Sequence, residues 1–223
     1  MLFDFPALAQ VEEPLAWVLA AAAACGTELD RIRATSLADR LLTAGRAGGP
    51  LPARVPPRLA ELWADRDLYP HAHRGAYTGL AETVDTGIDG FADALYERVL
   101  VPEGWVPYPD TAPVLGAALR RGEGGGGQQH RFRPAAAVRR LGPRRARRRV
   151  RAVLRGGRCK PDPGIFLRAC GMLGVDPERT LMVGDTPADA GAVAAGCGVL
   201  VLPCADAGRP NGLGAVLDLA GAA

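Results

Sequence analysis

Thr180-Leu181-Met182-Val183-Gly184-Asp185-Thr186-Pro187-Ala188-Asp189 is the stretch from which the rest of the chain can be read. Thr180 to Val183 reads as a strand ending on Gly184-Asp185, and Thr186-Pro187 opens a helix closed by Gly196. Downstream, Val199 to Leu202 reads as a strand and Leu213 to Leu219 as a short helix. Upstream, Asp162-Pro163 pairs a capping carboxylate with a proline in the first turn, and that helix ends near Gly174. Met1 to Phe5 is a short apolar run consistent with another buried strand. Helix alternating with strand implies a parallel sheet in an α/β fold, with ligands beyond the carboxyl ends of the strands.

Polar residues stand where such a sheet would use them. Asp4 ends the first strand, Asp185 ends a late one, and Asp189 follows one helical turn on. Carboxylates at two strand ends can share one Mg²⁺, a hard cation that takes oxygen ligands and keeps waters for a phosphate. Lys160, the only lysine among 27 basic residues, precedes Pro161-Asp162-Pro163 and can hold a carboxylate nucleophile ionised.

Cys159-Lys160-Pro161-Asp162-Pro163-Gly164-Ile165-Phe166 and Leu181 to Ala192 resemble the third and fourth motifs of the haloacid dehalogenase (HAD) superfamily. The resemblance covers residues 1–8 and 100–223, and the intervening helical text is similar to that family's cap. It implies a HAD-like, Rossmann-like parallel-sheet core from residues 1–13 and 100–223 with an inserted helical cap, 14–99. It also implies a Mg²⁺-dependent hydrolase of phosphatase type acting on a small phosphorylated substrate. Asp4 would be the nucleophile and a metal ligand, Lys160 would orient it, Asp185 would bind the metal, and Asp189 would support the metal shell.

The first motif departs from the family's Asp-x-Asp-Gly-Thr, because this chain has Asp4-Phe5-Pro6-Ala7-Leu8. Pro6 replaces the carboxylate that protonates the leaving group, help typically worth about a hundred- to ten-thousand-fold. Proline keeps its carbonyl, so Pro6 can still offer that oxygen to the metal. Branches of the family that cleave carbon–halogen bonds lack the second Asp, and carbon–halogen hydrolysis is the alternative chemistry.

Apolar residues make up 48% of the 223 and charged residues 23%, which excludes a wholly disordered chain. The longest apolar run, Leu15 to Cys25, is too short to span a bilayer, and no signal peptide is expected. Five cysteines without zinc spacing suggest free thiols in a reducing cytoplasm. Glu13 to Tyr96 reads as mostly helical, with Leu15, Val18, Leu19 and Ala22 on one face. His71 and His73 read as an exposed pair without a metal role. Thr111 is expected to cap a helix running to Arg121.

The net charge of +3 hides an asymmetry: residues 120–158 carry 14 arginines against Glu123 alone, or +13, leaving −10 elsewhere. Residues 122–157 interrupt the α/β pattern where the family's second motif should stand. A solvated linker is one reading. A nucleic-acid or acidic-partner surface through Arg139 to Arg151 is another, with weak support from the overall charge. The favoured reading is a shifted frame: dropping one nucleotide lets Gln128-Gln129-His130 become Ser-Asn-Ile and turns arginine codons beginning CG into Gly, Ala, Val, Asp or Glu. As translated, the stretch would then be extruded, and the chain weakly active or inactive.

Overall fold

The computed structural model describes residues 1–123, 159–205 and 208–221. Five strands are present among them: β1 (Leu2–Phe3), β2 (Ala9–Val11), β3 (Trp105–Pro107), β4 (Leu181–Gly184) and β5 (Gly198–Val201). The chain divides into two compact units, Met1–Gln10 with Pro107–Ala223, and Val11–Val106. These divisions lie a few residues away from the expected 13/14 and 99/100. The cause is a clasp at the ends of the second unit, where Glu12 N donates to Gly104 O at 2.9 Å and Arg98 holds the Glu12 carboxylate through two bonds of 2.7 and 2.8 Å.

The Val11–Val106 unit is helical, with α1 (Pro14–Ala24), α2 (Arg31–Ala44), α3 (Ala60–Asp65), α4 (Pro70–Ala81) and α5 (Phe91–Glu97). Asp30 starts α2 by accepting a bond from Arg33 N at 2.9 Å. Trp17, Val18, Ala21 and Ala22 of α1 pack with Leu37 and Leu41 of α2 and with Phe91 and Leu95 of α5. Leu19, expected inside, is exposed, because the buried stripe of α1 is set by Trp17. His71 is exposed as expected. His73 is not: it is half-buried, its Nδ1 2.7 Å from the Tyr96 hydroxyl.

The other unit holds α6 (Thr111–Glu123), α7 (Pro163–Leu173) and α8 (Gly214–Gly221) around a parallel sheet in the order β1-β4-β5. Leu2 lies opposite Met182, Phe3 opposite Val183, and Val183 opposite Leu200. The first strand is shorter than the run Met1 to Phe5, although Asp4 N still donates to Val183 O at 2.8 Å. Alternate side chains leave the sheet on opposite faces. Met182, Leu2 and Val199 meet Phe166 and Cys170 of α7, while Val183, Phe3 and Leu200 meet Val114 of α6 and Val216 of α8. A sheet covered on both faces explains strands that read as continuous apolar text.

Two local expectations change. Pro187–Ala195 is a 3₁₀ helix, whose eclipsed side chains are tolerable where most are alanine, glycine or proline. Thr111 does not cap α6 but begins it, and its hydroxyl donates to Leu8 O at 2.6 Å. The helix runs to Glu123 instead of Arg121. From Gly124 to Arg158 the expected Gly/Arg-rich segment, including Arg139 to Arg151 and the Gln128–His130 position, lies outside the described residues.

Candidate functional site

The register of β1 on β4 brings the carboxyl ends of the two strands level, so Asp4 and Asp185 emerge side by side. Carboxylate oxygens of Asp4, Asp185 and Asp189 all lie within 4.8 Å of one another. Lys160 enters from the loop before α7, and its Nζ donates to both Asp4 Oδ2 and Asp189 Oδ1, the latter at 2.8 Å. Asp4, Lys160, Asp185 and Asp189, four of the five residues singled out in the sequence, therefore meet at one point. Pro6 lies two residues beyond Asp4, in a turn closed by Leu8 N donating to Phe5 O at 2.9 Å.

Asp189 organises this point from inside the protein. Its exposure is 0%, and it accepts four bonds. Oδ2 takes Asp185 N at 3.2 Å, Thr186 N at 3.1 Å and the Thr186 hydroxyl at 3.0 Å, while Oδ1 takes Lys160. Its reach back to Thr186 N is half of a capping box, so one carboxylate both starts the 3₁₀ helix and shapes the loop carrying Asp185. Two glycines make room for this. A Cβ on Gly184 would collide with the Asp189 carboxylate, and one on Gly191 would collide with the Pro161 carbonyl. The second contact seats the Lys160 loop against the 3₁₀ helix.

Charge distinguishes the members. Burial acts to lower the Lys160 pKa, but the Asp4 charge and the bonds to Asp189 and Asp4 outweigh it and leave it raised. Burial, then the Asp4 charge, pushes the Asp185 carboxyl up. Asp185 Oδ1 is buried with no hydrogen-bond partner among the described residues, a costly arrangement for a carboxylate oxygen. Three carboxylates against one ammonium leave a formal charge of −2. An orphaned oxygen, three hard donors and that charge fit a divalent cation such as Mg²⁺.

Sequence reasoning missed two neighbours. Cys204 Sγ points at Asp185 Oδ2 from 3.6 Å, and Tyr108 is buried beside this pair, its hydroxyl pushed well up by burial and then by Cys204. Both lie in irregular stretches after strands, where neither spacing nor periodicity marks them.

Residues 29–196 match the haloacid dehalogenase-like hydrolase family. With most of its length matched, the chain belongs to that family of hydrolases. The matched span takes in Lys160, Asp185 and Asp189 and begins after Asp4. No curated protein matches the chain significantly. Among the described residues, no helix is long and apolar enough to cross a membrane.

Proposed function

We propose that the chain is built for Mg²⁺-dependent hydrolysis of a phosphate ester on a small substrate, with Asp4 as nucleophile. The observation that carries this reading is the pairing of Asp4, bonded to Lys160, with Asp185, whose buried Oδ1 has no hydrogen-bond partner among the described residues. Asp4, Asp185 and the Pro6 carbonyl would hold the cation, and Asp189 would steady them from behind. When bound, Mg²⁺ supplies positive charge to the phosphoryl oxygens.

An Asp4 carboxylate oxygen attacks phosphorus and the ester oxygen leaves, forming an aspartyl-phosphate. Lys160 hydrogen-bonds Asp4 and fixes its direction. The departing alkoxide takes its proton from water, because Pro6 has none to give. A second water hydrolyses the acyl phosphate, releasing inorganic phosphate and restoring Asp4. The Val11–Val106 unit serves as the cap that selects the substrate.

Pro6 also favours a second reading, carbon–halogen hydrolysis through an ester to Asp4, since a halide leaves without being protonated. Incubation with an aryl phosphate separates the two. Phosphate release that requires Mg²⁺ and disappears in Asp4→Asn supports the first reading. Halide release from a haloacid without Mg²⁺ supports the second. No turnover of either substrate, even with Pro6→Asp and an in-frame 122–157 segment, overturns both.

A further inference from the structure

The turn that follows Asp4 is held from outside by residues the chemistry above does not use. Phe5 O accepts Leu8 N at 2.9 Å and Ala9 N at 3.1 Å. Ala7 O accepts the side-chain Nδ2 of Asn211 at 3.1 Å, a buried bond. Leu8 O accepts the Thr111 hydroxyl at 2.6 Å and Tyr108 N at 3.2 Å. Of the carbonyls from Phe5 to Leu8, Pro6 alone accepts no hydrogen bond among the described residues.

Asn211 is itself firmly seated, at 6% exposure. Its Oδ1 accepts Ala205 N at 3.0 Å, next to Cys204, whose thiol meets the Asp185 carboxylate. Asp110 fixes the backbone on either side: Oδ1 accepts Asn211 N at 3.0 Å, and Oδ2 accepts Leu213 N at 2.8 Å. Gly212 lies between these two amides with φ at +79°, a left-handed geometry open to glycine. One amide side chain thus braces the loops beside both Asp4 and Asp185.

We infer that Asn211 is a positioning residue for the metal centre: by engaging the Ala7 carbonyl, it keeps the Pro6 carbonyl turned out for Mg²⁺. Thr111 holds the Leu8 carbonyl in the same way. The inference rests on the reading of Asp4, Pro6 and Asp185 as the cation's ligands. With its other carbonyls engaged, the turn is ordered before the cation arrives. A ligand ordered in advance binds more tightly than one that binding must organise. An asparagine that merely joined loops would affect stability and leave the cation's affinity alone.

The test measures Mn²⁺ affinity from the electron paramagnetic resonance signal of the free ion, since Mn²⁺ and Mg²⁺ favour the same oxygen ligands. Circular dichroism establishes which variants are folded. Asn211→Ala should weaken Mn²⁺ binding about fivefold, the worth of one hydrogen bond. Thr111→Val, which leaves Leu8 O one of its two donors, should weaken it about twofold, and it decides the matter if Asn211→Ala does not fold. Phe166→Leu, a core change on the opposite face of the sheet, should lower the thermal midpoint and leave the affinity unaltered. Unchanged affinity in the folded variants overturns the role of Asn211 while the metal reading stands, as does an equal loss in Phe166→Leu. No Mn²⁺ binding by the unaltered chain, or binding that Asp185→Asn does not weaken, overturns the metal reading and this inference with it.

Discussion

Lys160 and Arg46 are two cations withdrawn from water in two separate units, and their pKa values move in opposite directions. Lys160 keeps 26% of its side-chain exposure, faces two carboxylates and has its pKa raised. Arg46 is more deeply buried, has one carbonyl and an aromatic face as partners, and has its pKa lowered. Desolvation opposes the charged form of both, so the difference lies in what each cation meets. One is bonded to two carboxylates. The other is bonded to a carbonyl and to no carboxylate among the described residues.

Removing each cation should therefore have unequal consequences. Lys160→Met leaves Asp189 buried and facing Asp4 without a counter-charge, and should cost about 3 kcal/mol in urea denaturation without divalent ions. Mg²⁺ should restore part of this loss. A cost below about 1 kcal/mol would show that the cluster does not depend on its lysine. Arg46→Met forfeits one hydrogen bond but relieves a buried charge, so its stability should change by about 1 kcal/mol or less. A loss as large as that of Lys160→Met would break the contrast.

The smallest effect concerns pH. Burial, more than the opposing Asp67 charge, lowers the His73 pKa, and Arg66 lowers it further. The folded state therefore holds this proton less tightly than the unfolded chain. Stability should be intact above the unfolded pKa of about 6.5 and should fall as the pH drops through that value toward the depressed folded one. Thermal midpoints measured across this window should show a slope that His73→Gln removes. An unchanged slope in the variant would assign the acid sensitivity elsewhere.

Much of the Asp4–Lys160 cluster was legible in the sequence because its signals are local. Asp162-Pro163, Thr186-Pro187 and Asp185 with Asp189 each encode a cap or a strand end within a few residues. Arg46 was not legible. It stands in Thr43-Ala44-Gly45-Arg46-Ala47-Gly48-Gly49, which reads as solvated loop, and its burial comes from Trp17 far earlier in the chain. Strands β2 and β3, with three residues each, are too short for alternation to appear. Tyr108 and Cys204 become neighbours only after the sheet has formed. Residues 124–158 broke the reading for another reason: their composition carries neither a helical nor a strand period.

The clasp of Glu12 with Arg98 and Gly104 has a consequence for how this gene can vary. It joins the entry and exit of the 11–106 stretch through bonds internal to that stretch. Lengthening, shortening or exchanging what lies between Glu13 and Glu97 then leaves the two chain crossings where they were. The insert behaves as a cassette with its own latch, free to diversify while the sheet that bears Asp4 and Asp185 keeps its alignment.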